Sequence, residues 1–264
     1  MPELPELEIL RRELDAQVVG RRVVEVMADD AALAEGLVGA CIASVERRGK
    51  MLVLNFDNER SLVIHLMMVG QLLLSPPFAG EPRDVCLALR FADGAQLSLG
   101  QVPLKYVHLL PTADVEGLPA IAKLGVDPLS EGFTLDRLRA ILAGRRGALK
   151  PLLLDQSLMA GIGNTYADEI LFAARLHPKR KAASLNEAEV VRLYESILVI
   201  LERGIELGGS SEMAFLHLDG ARGRSQERFQ VKGRKGEPCF ICGIPIERIE
   251  VGGRGTYLCP QCQE

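Results

Sequence analysis

No apolar run in this chain of 264 residues reaches the roughly 18 residues that a membrane-spanning helix needs. A helical membrane protein is excluded on that ground. The opening MPELPELEIL carries three glutamates and no basic residue, so no secretory leader is expected. No internal repeat is evident. Hydrophobic residues make up 48% and charged residues 25%, ordinary globular usage that excludes disordered, collagen-like and coiled-coil chains. The length alone predicts about two domains. The formal charge is −4, which by itself argues weakly against a polyanionic partner.

That charge is unevenly spread. Between Ala221 and Glu264 eight basic residues face five acidic ones, leaving +3. A second basic cluster runs Arg137, Arg139, Arg145, Arg146, Lys150, and a third runs Arg175, Lys179, Arg180, Lys181. Acidic residues further than about 10 Å away are screened by salt, so basic faces on a weakly acidic protein can still hold a polyanion.

Of the six cysteines, Cys41 and Cys86 stand alone in apolar surroundings and read as small buried hydrophobes. The other four form Cys239-x2-Cys242 and Cys259-x2-Cys262, sixteen residues apart. Two such pairs place four thiolates at the corners of a tetrahedron, which suits zinc. The alternative is a pair of disulfides, disfavoured in the reducing cytoplasm where this chain is expected. Four thiolates leave no open position for water, so a zinc ion here is structural. So short a segment has too little core to fold without it.

Residues 5–17 read as a helix with Pro5 in its first turn. From Arg22 to Leu110 the period changes to short apolar or alternating runs separated by Gly49, Asp57-Asn58, Gly70, Pro76-Pro77 and Asp93-Gly94. This predicts an antiparallel sandwich or barrel. After a linker near 125–133 the pattern turns helical to about residue 208. Residues 210–236 are polar and aperiodic, a long loop of the kind that is often functional. The expected fold is α+β and multidomain: an N-terminal antiparallel β-sandwich with a leading helix (1–125), a helical domain (131–225) and a four-cysteine zinc hairpin (230–264).

Two local motifs bear on chemistry. Pro2 follows Met1, and loss of the methionine leaves a secondary amine. An α-amino group with a pKa near ~8 is partly neutral at pH 7 and can form a Schiff base with an aldehyde-like carbon. Glu3 and Glu6 stand close enough in sequence to act as acids. The same segment also reads simply as a helix start, with proline and glutamates favoured in the first turn. Gly161-Ile162-Gly163-Asn164 interrupts two helical patterns. It is either a phosphate-binding turn at a helix N-terminus or an ordinary tight connection between helices.

The combination of MPELPELE, RRGKML at 47–52, HLMMVG at 65–70, LKPLLLDQSLMAGIGNTYADEILFAARLHP at 149–178 and GGRGTYLCPQC in the tail resembles the formamidopyrimidine-DNA glycosylase / endonuclease VIII family over essentially the whole chain. The resemblance implies a monomeric, bifunctional base-excision repair enzyme acting on double-stranded DNA, with a helix-two-turn-helix domain and one structural zinc ion. It implies that Pro2 attacks C1′ of a flipped nucleotide, that Glu3 is the general acid and proton shuttle, and that Lys50 assists near the phosphates. Arg254 grips the flanking phosphate and assists the last elimination of a β,δ sequence. Lys150 and Asn164 match phosphate contacts. His65 falls in the same strand-turn motif, and Met68 matches the methionine that fills the void left by the flipped base, a reasonable use of an apolar wedge. The competing reading keeps the fold but removes the glycosylase step: a protein that binds damaged or abasic DNA with lyase activity only, or none.

Departures from the family pattern concern reading rather than chemistry. Leu104 stands where an arginine reads the orphaned cytosine, and leucine offers no donor to a base edge. Tyr106 remains available as an aromatic wedge. Glu81-Pro82-Arg83-Asp84 replaces a histidine-containing element, with a carboxylate at Asp84 that repels phosphate. Ser210-Ser211-Glu212-Met213-Ala214 replaces a stretch that carries Arg-Asp in the lesion-capping loop. A divergent choice of lesion or opposite base is expected.

Overall fold

The computed structural model describes residues 1–28, 30–76 and 84–264. The expected DNA-contacting element at Glu81-Pro82-Arg83 therefore lies outside the described residues, while Asp84 lies within them. The chain divides into two compact units, Met1–Ala122 with Leu207–Arg224, and Lys123–Glu206 with Ser225–Glu264. By contacts, the loop after the last helix belongs to the first unit, and the zinc hairpin to the unit of the helices.

The first unit opens with α1 (Leu4–Val18). Leu4, Leu7, Leu14 and Val18 recur at helical spacing, and each is at most 1% exposed. Burying one such side chain stabilises the fold by roughly 1.5–3 kcal/mol. Then come β1 (Val23–Ala28), α2 (Ala31–Leu37), β2 (Ile42–Arg48), β3 (Met51–Phe56), β4 (Arg60–Ile64), β5 (Gln71–Ser75), β6 (Val85–Phe91), β7 (Gln96–Gly100), β8 (Val107–Pro111) and the short α3 (Pro119–Ala122). The strands form two four-stranded antiparallel sheets, ordered β1-β6-β7-β5 and β2-β3-β4-β8, the expected sandwich. Its core is built by Leu52, Leu54, Leu62, Ile64, Leu87, Leu89, Leu97 and Leu99.

The segment Leu207–Arg224 is pinned to this unit by two carboxylates of α1. Glu6 Oε1 accepts from Ser210 N at 2.9 Å, and Glu13 Oε2 accepts from Leu218 N at 3.0 Å. A bridge between Ser210 and Arg224 closes it into a compact loop. Where its ends pass, a Cβ on Gly223 would lie 2.1 Å from the Gly208 carbonyl oxygen, so only glycine fits.

The second unit holds α4 (Leu135–Leu142), α5 (Leu149–Leu154), α6 (Asn164–Ala173) and α7 (Glu187–Glu206), followed by the hairpin β9 (Glu247–Val251) and β10 (Arg254–Leu258). The Thr134 hydroxyl accepts from Arg137 N at 3.1 Å and caps α4. The turn between α5 and α6 is braced by Gln156, which accepts from Gly161 N and donates to the Ile162 carbonyl, both at 2.9 Å. Gly161 there takes a φ of +95°, a conformation that glycine supplies without strain.

Candidate active site and nucleic-acid interface

In the first unit, Pro2 and Glu3 sit buried at the start of α1. Glu3 is the N-cap, and its backbone N–H donates to Glu6 Oε2 at 2.8 Å, one half of a capping box. Glu6, 2% exposed, therefore joins Glu3 to Ser210 of the closing loop through its two oxygens. In the unprocessed chain Met1 blocks the Pro2 nitrogen as an amide, and the Met1 ammonium reaches Met213 Sδ at 3.2 Å.

Lys50 lies at the tip of the β2–β3 hairpin. Register pairs Arg48 with Met51, which leaves a two-residue turn, Gly49-Lys50, with Gly49 at φ +57°. Positive φ at the first central position is what a tight hairpin demands. This turn is tied to α1 by Arg47, whose Nε donates to Glu8 Oε2 at 3.1 Å. Arg47 also donates through Nη1 to the Gly49 carbonyl at 3.4 Å. Burial alone raises the Glu8 carboxyl, but Arg11, Arg47 and Arg12 outweigh it and hold it below the usual carboxylate range. The Glu8–Arg47 link was not anticipated from sequence. Its only trace was a glutamate that repeats the helical spacing on an otherwise apolar face.

His65 follows β4, and burial together with the nearby Lys50 ammonium lowers its pKa below the ordinary value. Its Nδ1 accepts from Met67 N at 3.0 Å, and its backbone N–H donates to the Tyr106 carbonyl at 3.0 Å. Met68 is half exposed, at 51%. Tyr106 ends a short 3-10 turn, Leu104–Tyr106, with the Lys105 ammonium 5.2 Å from its ring centre. Leu104 is partly exposed. Asp84 is exposed at φ +51°.

In the second unit, Asn164 begins α6 and its Nδ2 donates to the Gly255 carbonyl at 3.1 Å. Its Oδ1 is buried and has no hydrogen-bond partner among the described residues. Gly255 adjoins Arg254, an exposed residue next to the Gly252-Gly253 turn. Both glycines have positive φ, 58° and 72°, as a two-residue hairpin loop requires. The predicted phosphate residues Asn164 and Arg254 are thus brought to one place.

Lys150 is a correction. It was expected at a phosphate, but its side chain is 0% exposed. Its ammonium donates to Asp168 Oδ1 at 2.6 Å, Thr256 Oγ1 at 2.8 Å and the Gly255 carbonyl at 3.2 Å. Three acceptors saturate an ammonium's three donors, so its role is to lock β10 onto the helices. Asp168 completes the lock by accepting from Tyr257 N at 3.1 Å. Burial pushes its carboxyl up to about 6, against the pull of Lys150 and of the Tyr257 N–H. The adjacent Glu169 accepts backbone N–H groups of Gln230, Val231 and Lys232 at 2.8, 3.0 and 2.9 Å. Burial raises its pKa too, opposed by these donors. Both acids were overlooked, although two carboxylates inside the apolar YADEILFA were a visible signal.

The Sγ atoms of Cys239, Cys242, Cys259 and Cys262 all lie within 4.8 Å of one another. Cys242 and Cys259 are 3.4 Å apart, and Cys239 and Cys262 are 3.9 Å apart. Disulfide sulfurs sit about 2.05 Å apart, whereas a tetrahedron with Zn–S near 2.3 Å has edges of roughly 3.8 Å. The donor set is a closed structural zinc site.

The architecture is that of a zinc-containing DNA-repair glycosylase with a two-turn helical motif. Three family descriptions match the chain: "Formamidopyrimidine-DNA glycosylase N-terminal domain" over residues 1–101, "Formamidopyrimidine-DNA glycosylase H2TH domain" over 124–215, and "Zinc finger found in FPG and IleRS" over 236–264. A formamidopyrimidine-DNA glycosylase of Symbiobacterium thermophilum is 42% identical, covering 100% of this chain and 89% of the relative. Another from Pelotomaculum thermopropionicum is 39% identical over 100% and 99%. Among solved structures, Lactococcus lactis Fpg in complex with abasic-site DNA superposes with a TM-score of 0.89 at 36% identity, covering 99% of each chain. MutM (Fpg) of Thermus thermophilus gives 0.87 at 40% identity over 99% and 98%. The chain belongs to the formamidopyrimidine-DNA glycosylase family.

Proposed function

We propose that this protein is a base-excision repair glycosylase and AP lyase that uses Pro2, freed of Met1, as its nucleophile. The observation that carries the reading is the placement of Pro2 and Glu3 together at the buried start of α1, held there by Glu6. The N–H end of a helix carries partial positive charge, which favours the neutral amine that attack requires. The Pro2 nitrogen bonds to C1′ as the glycosidic bond breaks, and the base leaves with the proton that the amine gives up; the C1′–O4′ bond then opens, O4′ taking a proton from Glu3, and the nitrogen lone pair forms the C1′=N bond. The resulting iminium acidifies the C2′ proton. Its loss expels the 3′ phosphate, and a second elimination expels the 5′ phosphate, leaving a one-nucleotide gap.

Lys50 and His65 contact phosphates from the first unit, and Asn164 and Arg254 from the second. Met68 and Tyr106 enter the base stack once the damaged nucleotide is extruded, at an unstacking cost of a few kcal/mol that a lesion lowers. The partner is double-stranded DNA carrying damaged bases or abasic sites, and the enzyme acts as a monomer in the bacterial cytoplasm. Among the described residues no helix is long and apolar enough to cross a membrane.

Lesion choice departs from the family norm, because Leu104 gives no hydrogen bond to an orphaned base and the loop after Gly209 lacks Arg-Asp. Incision of duplexes carrying 8-oxoguanine, formamidopyrimidine, an oxidised pyrimidine or an abasic site, each against four opposite bases, tests this. Cleavage of damaged duplexes with weak opposite-base preference is expected. Strong 8-oxoguanine activity restricted to cytosine partners contradicts the altered choice.

A further inference from the structure

We propose that His65 is a positioning residue whose Nδ1, acting as an acceptor, sets the Met67–Val69 turn and so places Met68 for entry into the base stack. This rests on the reading of Met68 as the wedge given above. Met67 takes a left-handed φ of +53°, a conformation that a non-glycine residue adopts only when its surroundings hold it. The Met67 N–H to His65 Nδ1 bond at 3.0 Å is the hold on that residue. The far side of the turn closes through Gly70 N to the Leu66 carbonyl at 2.9 Å.

The same histidine joins this turn to the second wedge, since its backbone N–H donates to the Tyr106 carbonyl at 3.0 Å. Gly70 reinforces the junction: a Cβ there would lie 2.2 Å from Val102 Cγ2 and 2.3 Å from the Leu66 carbonyl oxygen. Met68 and Tyr106 are therefore set from one point. An accepting Nδ1 puts the single ring proton on Nε2, which leaves Nε2–H as the donor for a phosphate. Burial and the Lys50 ammonium keep the ring in this neutral form. One imidazole thus does two separable things with its two nitrogens.

The two can be separated by amide side chains. His65→Asn keeps a local acceptor for the N–H two residues on, as asparagine does in turns, but loses the distal donor. His65→Gln reaches the distal position and loses the local acceptor. The measurement is stopped-flow fluorescence of 2-aminopurine beside an abasic site, using zinc-loaded full-length enzyme without Met1, alongside equilibrium binding of the same duplex.

His65→Asn is expected to retain the insertion rate while weakening binding. His65→Gln is expected to slow insertion by about three- to tenfold, the worth of one neutral hydrogen bond, with binding less affected. With Met68→Ala already present, His65→Gln should slow insertion no further. Equal slowing by both amides, or additive slowing with Met68→Ala, overturns the proposal. If Met68→Ala alone leaves the signal untouched, it is the wedge reading that fails. Long-range proton–nitrogen NMR of the wild type supplies a test free of mutation: an unprotonated Nδ1 is expected, and a proton on Nδ1 overturns the assignment.

Discussion

Lys150 and Asp168 form an ion pair with no exposed side-chain surface on either partner, Nζ to Oδ1 at 2.6 Å. The pair joins α5 to α6, and its remaining bonds run to Gly255, Thr256 and Tyr257 of β10. Removing one member strands a buried charge, which typically costs about 3–5 kcal/mol, whereas replacing both with well-packed apolar groups is often neutral. Lys150→Met and Asp168→Leu should each sharply lower the chemical-denaturation stability of the zinc-loaded protein. The double variant should recover most of that loss. Additive losses, read in a double-mutant cycle, would contradict the structural role given to Lys150.

His65 sets a pH dependence. Its pKa is lowered in the folded protein by burial and by Lys50 on the β2–β3 turn. The unfolded chain therefore binds the proton more readily, and linkage makes stability rise with pH across that window. The contribution is full above about 6.5, the ordinary histidine value, and is lost as pH falls through the lower folded value. The raised carboxyls of Asp168 and Glu169 act in the opposite sense, so the His65 contribution is read as a difference: relative to His65→Asn, the wild type should lose stability as pH falls below about 6.5. Denaturation midpoints measured at a series of pH values check this, and an unchanged slope in the variant would count against it.

Zinc removal should act on the second unit. Structural zinc supplies on the order of 10 kcal/mol to small domains, and the hairpin's own core is small, consisting of Phe172, Val231, Ile246 and the buried cysteines. One zinc per chain is expected by elemental analysis. Cys242→Ser or chelation should release it and reduce DNA affinity at least tenfold, while the β-sandwich stays folded. DNA binding that survives complete metal loss would show that the hairpin is dispensable.

Much of this architecture was readable from local pattern. The sandwich between Arg22 and Leu110 follows from alternation and turn residues, while its last strand, Val107–Pro111, is short and ends in proline, which an edge strand tolerates. The Ala31–Leu37 helix is hidden by its length of 7 residues, which leaves a single helical step, Leu33 to Leu37, on its buried side; Asp30 caps it by accepting from Ala32 N at 2.9 Å. The division into units was not legible. It depends on Glu6 and Glu13 bonding to residues more than 200 positions away, and no window of sequence reports that. Lys150 misled for a related reason. It stood among surface arginines in sequence, and the acid that buries it lies eighteen residues on, inside an apolar helix.

Leu104 offers a gain-of-specificity test. A bidentate arginine contact to a base is worth roughly 1–3 kcal/mol of discrimination. Leu104→Arg should therefore raise the preference for cytosine opposite the lesion by about tenfold or more in single-turnover incision. No change would place opposite-base reading elsewhere in the first unit.

The most direct test of the account is borohydride trapping on abasic DNA, followed by mass spectrometry of the digested adduct. The prediction is a reduced linkage on the nitrogen of Pro2, in chains that have lost Met1, and no adduct in chains that retain it. A linkage on a lysine side chain such as Lys50, or equal trapping with Met1 in place, would contradict the proline mechanism.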